Sequence, residues 1–390
     1  MAVVSPVRCL HLADLHLGWR PASLGGREDE RGRERDGLLS KAVEFALDPG
    51  NRIDLVLIAG DLFETHRPAP AQVEVVIRQL SRLGTTGIQV VTTPGNHDEI
   101  TYVDSVYRTT EGRWPGILVK NPMPGKVATL AARGTPVHVY SLAYTGGLTR
   151  TEPPLRDFPR HNAPGVHVAV FHGSLGSTGA DRSLPIDESG LAQAGYDYVA
   201  LGHFHQFSER DLRPGAGGPG SGTKAVYPGA VEWRGFADPG TGMFVTANVE
   251  PGRTTIERMA VATRPQAVID LDVTSLVDAQ ALDNAVAGIA ARQGREAIVR
   301  IRLAGTSSFA INGEALCERF RDRFYHLEVA SDAPLLGRAE IDTWAQEPTI
   351  RGEFIRRMTQ RIAQEADQEQ AAILKRALLY GLRAMEGGAR

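Results

Sequence analysis

The chain has 390 residues, 42% of them hydrophobic and 23% charged, a formal net charge of −3 and two cysteines. This length exceeds one typical core, so two or three domains are expected, and the composition is that of a soluble globular protein. The acidic balance excludes broad electrostatic capture of a polyanion by the whole surface, although not by a local basic groove.

Cys9 and Cys317 form neither a disulfide framework nor a CxxC pair, which fits a reducing cytoplasm. No apolar run is long enough to span a bilayer, and the first twelve residues lack a basic leader ahead of an apolar stretch, so neither membrane insertion nor a secretory signal is expected.

Residues 7–12 read as a first strand, ending at Ala13-Asp14-Leu15-His16. The charged, glycine-containing segment 25–37 reads as a solvated loop leading into a helix, or as a flap near a site. Residues 38–47 have helical spacing. Residues 53–59 form a nearly continuous apolar run, the pattern of a strand buried on both faces, and end at Gly60-Asp61. A helix over 71–83 precedes a strand over 88–91, a Thr-Thr-Pro turn and Gly95-Asn96-His97-Asp98. This β-α-β-α rhythm predicts an α/β layer structure with parallel strands at its centre.

Short β segments follow at 127–131 and 137–142. An apolar strand over 166–171 ends at His172-Gly173, and another over 196–201 ends at Gly202-His203-Phe204-His205. The glycine-rich stretch 212–223 reads as a flexible connection, with strands at 225–227 and 243–249. A first domain thus covers 1–261.

Residues 262–335 alternate strand (267–273), helix (276–292), strand (297–303), helix (313–323) and strand (325–330), a small α/β unit of their own. After a linker over 331–348, the tail within 336–390 is helical. Phe354, Ile355, Met358 and Ile362 recur at helical spacing, as do Ile373, Leu374, Ala377, Leu378 and Leu382. Such a two-helix tail either packs on its own chain or docks another protein.

Five strand ends carry potential metal ligands: Asp14 and His16, Asp61, Asn96 and His97, His172, and His203 and His205. Each fragment alone has an ordinary reading, a satisfied polar histidine or an Asp in a turn. Together they place one ligand-rich loop after each buried strand, where sites form in open α/β sheets. Two divalent metal ions close together need a bridging carboxylate, and Asp61 stands alone on its loop. We therefore expect one metal on Asp14, His16, Asp61 and His205 and a second on Asp61, Asn96, His172 and His203. Water between them would ionise more readily and act as the nucleophile in an in-line displacement at phosphorus. His97 is left to stabilise or protonate the leaving oxygen, and Asp98 to orient its ring.

These residues, in this order, resemble the calcineurin-like metallophosphoesterase superfamily over the first domain. Asp14-Leu15-His16-Leu17-Gly18, Ala59-Gly60-Asp61-Leu62-Phe63, Gly202-His203-Phe204-His205 and Tyr227-Pro228-Gly229-Ala230-Val231-Glu232 resemble its SbcD/YhaO-like DNA repair exonuclease branch. The protein phosphatase branch has Asp-Arg-Gly after its second motif, which Glu64-Thr65-His66-Arg67 does not match. The resemblance implies a four-layer α-β-β-α sandwich with a smaller α/β capping domain and a helical C-terminal tail. It also implies manganese-dependent cleavage of DNA phosphodiesters, an SbcC-type coiled-coil or YhaN-like ATPase partner, and a homodimer.

Two features depart from the branch. Some of its nucleases carry a histidine where this chain has Glu64, which implies weaker or differently gated exonuclease activity. The tail is nearer to the YhaO-like relatives than to SbcD. Arg20, Arg67, Trp233 and Arg234 lie near the motifs and read either as contacts to phosphate or base, or as solvated arginines and a packed tryptophan. A small-molecule phosphodiesterase with the same dinuclear site is the alternative function. A scaffold with a degraded site is disfavoured because no ligand of the constellation is missing.

Overall fold

The structure is a computed structural model describing residues 5–146, 155–176, 183–213, 222–238, 242–261, 264–305, 307, 309, 311–331 and 338–387. The chain divides into two compact units, Met1–Thr263 and Arg264–Arg390.

In chain order the first unit carries β1 (Val7–Leu12), β2 (Leu55–Ala59), β3 (Gln89–Thr93), β4 (Ile117–Leu118), β5 (Gly125–Ala132), β6 (Thr135–Ser141), β7 (Val166–His172), β8 (Ser174–Leu175), β9 (Pro185–Ile186), β10 (Tyr198–Gly202), β11 (Ser208–Leu212), β12 (Thr223–Tyr227), β13 (Met243–Glu250) and β14 (Arg253–Ala260). Its helices are α1 (Glu28–Asp36), α2 (Leu38–Leu47), α3 (Pro70–Thr85), α4 (Val106–Thr109) and α5 (Glu188–Ala194).

Two six-stranded sheets form, ordered β14-β13-β1-β2-β3-β4 and β11-β12-β10-β7-β6-β5. In the first sheet β1 to β4 pair in parallel and β13 and β14 are antiparallel; in the second the centre is parallel and both edge strands, β11 and β5, are antiparallel. The strands β2, β7 and β10 are buried along their whole length, as their unbroken apolar runs require of central parallel strands.

The period of two along β10 separates the layers. Tyr198 and Ala200 join the core shared with Leu57 of β2, whereas Val199 and Leu201 join a second core with Leu191 of α5. Leu39 and Val43 of α2 and Leu80 of α3 cover the other face of the first sheet. The result is the four-layer α-β-β-α sandwich.

Segment 25–37 differs from the solvated loop or flap expected of it. Residues Glu28–Asp36 form a helix in which every residue except Gly32 is charged, yet Arg31 and Arg35 are buried. Arg31 pairs with the buried Glu232. Arg35 donates to the carbonyls of Leu15 (3.1 Å), Glu232 (2.8 Å) and Trp233 (2.7 Å). Buried cations are tolerated because each is paired or hydrogen-bonded. These bonds tie the loop that follows β1 to the one that follows β12.

The second unit contains a parallel sheet of β15 (Gln266–Asp272), β16 (Ile298–Ala304) and β17 (His326–Ser331), with α6 (Ala279–Gln293) and α7 (Gly313–Phe320). Val286, Ile289, Ile301 and Leu316 share its core. The remainder is helical: α8 (Arg338–Ala345), α9 (Ile350–Gln364) and α10 (Gln368–Gly387). Ile341, Ile355, Leu378 and Leu382 form a small separate core.

The expected linker 331–348 therefore holds a helix, α8, because Ile341 has an apolar partner in α9 and α10. Its residues 332–337 lie outside the described residues, as does 214–221 of the expected glycine-rich connection. Strands β11 and β14 lie at sheet edges that the sequence reading did not assign.

Candidate metal centre

The strand ends β1, β2, β3, β7 and β10 deliver the expected residues to one place. Asp14 N–H donates to Gly60 O at 3.2 Å and His16 N–H to Asp61 O at 3.0 Å, which ties the first two loops together. Asp14, His16, Asp61 and His203 all have positive φ, at 54°, 46°, 50° and 109°. Non-glycine residues rarely adopt this region, and such strain clusters at functional sites. Gly60 (φ 85°) is required by space as well as conformation, since a Cβ there would lie 2.2 Å from His172 Nδ1.

The side chains fall into two touching groups. In the first, His16 Nε2 lies 3.2 Å from His205 Nε2, which is 4.0 Å from Asp14 Oδ1. In the second, His172 Nε2 lies 2.9 Å from Asn96 Oδ1 and 3.4 Å from Asp61 Oδ2, and Asn96 Oδ1 lies 3.1 Å from His203 Nδ1. Asp61 Oδ2 is also 3.9 Å from His16 Nε2, so this carboxylate stands between the groups. The backbone N–H of His203 donates to both oxygens of Asp14 at 3.1 Å.

Neighbours of the imidazoles fix which nitrogen points inward. His172 Nδ1 lies 2.9 Å from Ala59 O and donates to it. His205 Nδ1 lies 2.5 Å from Asp238 Oδ2. Each arrangement directs Nε2 toward the shared centre, as a carbonyl or carboxylate behind a metal-ligating histidine does.

The electrostatics describe buried groups in conflict. Burial lifts the Asp14 carboxyl to about 6, with Asp61 adding to it and His172 opposing. Burial also pushes Asp61 up, but His172, His16 and His97 outweigh it and hold it well below the usual carboxylate range. Burial drives His16 well below its ordinary value. Burial lowers His172 too, but Asp61 overrides it and raises the imidazole to about 9.

Two inward nitrogens at 3.2 Å and two buried carboxylates form a cluster of electron-pair donors that a cation would satisfy. Carboxylate, amide and imidazole donors suit a divalent transition ion, whose binding would displace protons from this site. The residues present therefore fit a divalent metal centre.

His97 is half-buried; its backbone N–H donates to Asp61 Oδ1 at 2.8 Å, and its Nδ1 lies 3.0 Å from Glu64 O. Asp98 does not orient that ring. Its carboxylate accepts from Gly95 N–H (2.7 Å), Phe63 N–H (3.1 Å) and the Tyr107 hydroxyl (2.7 Å), so both oxygens are engaged in holding the loops. Burial, reinforced by Asp61, raises Asp98 to about 6.

The residues suggested for DNA contact also separate. Arg20 and Arg67 pair with Asp36 and Asp104. Trp233 is buried against Phe236 and offers no stacking face. Arg234 lies inside the site. Asp238 was not anticipated, because nothing in the sequence links it to a histidine 33 positions earlier.

The sequence profile of the calcineurin-like phosphoesterase family matches residues 7–207. Among curated relatives, the DNA double-strand break repair protein Mre11 of Methanopyrus kandleri is 29% identical over 244 residues, 58% of this chain and 49% of that one. The uncharacterized metallophosphoesterase YhaO of Bacillus subtilis is 26% identical over 259 residues, 64% of this chain and 59% of that one. Mre11 of Aeropyrum pernix is 27% identical over 283 residues, covering 68% and 64%. The matched part thus spans between about half and two thirds of these relatives' length. The chain belongs to the calcineurin-like phosphoesterase family.

Proposed function

We propose that this protein hydrolyses DNA phosphodiester bonds with two divalent ions, manganese foremost, as the nuclease partner of a coiled-coil ATPase. The family makes phosphoester hydrolysis the reaction class. The observation that carries the reading is the convergence of Asp14, His16, Asp61, Asn96, His172, His203 and His205 on one centre. DNA as substrate is supported by the names of the relatives from Methanopyrus kandleri and Aeropyrum pernix.

Asp14, His16, Asp61 and His205 would hold one ion, and Asp61, Asn96, His172 and His203 the other. When bound, such ions supply Lewis acidity toward phosphate oxygens and lower the pKa of water. The protein contributes orientation. The His97 N–H engages Asp61 Oδ1, leaving Oδ2 directed at His16 and His172. The His97 ring, set by the Glu64 carbonyl through Nδ1, carries its second proton on Nε2 when cationic and donates it to the leaving oxygen.

The reading extends to an SbcC-type or YhaN-like ATPase on the helical segment α8–α10, to a homodimer and to the cytoplasm. Among the described residues no helix is long and apolar enough to cross a membrane. The Glu64 carboxylate beside the centre favours one second reading, hydrolysis of a small phosphodiester rather than a polyanion.

The test supplies the purified chain with manganese and offers linear duplex DNA, single-stranded DNA and bis-nitrophenyl phosphate. Degradation of DNA supports the first reading. Turnover of the small ester alone supports the second, and no turnover of any substrate refutes both.

A further inference from the structure

The Arg234 guanidinium reaches this centre. Its Nη1 lies 3.4 Å from His16 Nε2, the same nitrogen that faces His205 at 3.2 Å. Its Nη2 donates to Glu64 Oε1 at 2.6 Å. The other Glu64 oxygen lies 3.0 Å from His16 Nδ1, although the two are not aligned as a hydrogen bond. The Trp19 ring lies 5.8 Å from the guanidinium and 4.8 Å from that of Arg35. The backbone before Arg234 is held as well, since Arg35 binds the carbonyls of Glu232 and Trp233.

A guanidinium against the inner nitrogen of a cation-binding cluster is repelled by whatever cation the cluster holds. It belongs there only if an anion joins it. Glu64 is that anion in the free protein, and it uses one of the five N–H donors of the fork. The planar fork matches two oxygens of a phosphate, which a lysine ammonium does not.

We propose that Arg234 receives the substrate's phosphate beside Asp14, His16 and His205, with Glu64 as the positioning residue that holds its guanidinium there. The assignment rests on the phosphoester-hydrolase reading of the centre and names the residue that recognises the anion. It also gives Glu64 two effects of opposite sign: it aims Arg234, but without Arg234 its carboxylate repels the phosphate.

The test measures inorganic phosphate binding to the manganese-loaded full chain by calorimetry, alongside manganese stoichiometry and KM and kcat for bis-nitrophenyl phosphate. Arg234→Gln should weaken phosphate binding about tenfold or more and raise KM, at unchanged manganese content. Arg234→Lys should fall between it and the parent chain. Adding Glu64→Gln to Arg234→Gln should recover part of the lost phosphate affinity, an outcome that a purely structural ion pair does not produce. Unchanged phosphate affinity in Arg234→Gln, manganese loss from it, or a double variant no better than the single one would each overturn the proposal. Phosphate binding is read without DNA, so a chain that binds phosphate through Arg234 and leaves DNA intact refutes the DNA substrate and not this assignment.

Discussion

Gly95 and Asp61 are in such close contact that a Cβ on Gly95 would lie 2.2 Å from Asp61 Oδ1 and 2.4 Å from Asp61 N. Gly95 is not among the residues with positive φ, so alanine is permitted there by conformation and forbidden by space. Asp61 would have to move, and it is the carboxylate between the two ligand groups. Gly95→Ala should cost about 1–3 kcal/mol of stability, as overpacking does, and release at least one manganese equivalent. Metal analysis of the purified variant decides this; a full complement of manganese would show that Asp61 does not bridge.

The Tyr107 hydroxyl is one of three donors to the buried Asp98 carboxylate. Tyr107 is itself fully buried, so no water replaces it. Tyr107→Phe should cost about 1.5–3 kcal/mol, the range for a hydrogen bond to a charged group. Urea unfolding of the metal-free protein reads this directly. A loss in activity without a loss in stability would return Asp98 to the chemistry rather than to the scaffold.

The central strands were legible because burial on both faces leaves an unbroken apolar run, as in Leu55–Ala59. The edge strand Arg253–Ala260, largely exposed and carrying Arg253, Glu257 and Arg258, leaves no such trace. Helix Glu28–Asp36 was illegible for a related reason: its buried arginines are met by the Glu232 carboxylate and by the Glu232 and Trp233 carbonyls about two hundred positions away, and local periodicity does not report these partners. The grouping of the proposed ligands was legible because each lies at, or within a few positions of, the end of a buried strand. The role of Asp98 was not, since it depends on where the Phe63 N–H and the Tyr107 hydroxyl lie in space.

His11 joins the two sheets through Tyr198, its Nδ1 lying 2.9 Å from the phenolic oxygen. Burial pushes the imidazole down to about 3, against a smaller upward pull from the Leu201 backbone. A depressed folded-state pKa means the unfolded chain binds the proton first. The stability contribution is therefore full above about 6.5 and is lost as pH falls from there toward 3, at up to about 1.4 kcal/mol per pH unit. Urea midpoints across that window should fall with acid in the parent chain and less steeply in His11→Gln. Parallel slopes would show that His11 does not titrate on unfolding.

His97 contacts Asp61 through its backbone N–H, not its ring. His97→Ala keeps that bond, so both metals should stay while turnover of bis-nitrophenyl phosphate drops by about 100- to 10,000-fold, the range for a lost general acid. Metal content and kcat measured on one preparation separate the roles. Loss of metal would make the ring a ligand, and unchanged kcat would remove it from proton transfer.

On helix Gln368–Gly387, Leu378 and Leu382 are buried against α9, whereas Ile373 and Tyr380 remain 42% and 51% exposed. Seven positions separate the latter pair, so they share one helix face. Removing residues from 349 onward would strip Ile341 of its apolar partners and confuse docking with folding. Ile373→Asp with Tyr380→Asp is the cleaner test, because exposed substitutions change stability by about 0.5 kcal/mol or less. The double variant should lose association with the ATPase proposed as partner, tested with the SbcC-type or YhaN-like candidate of the same organism, and keep its melting temperature and small-ester turnover. Retained association at full strength would move the dock away from this face.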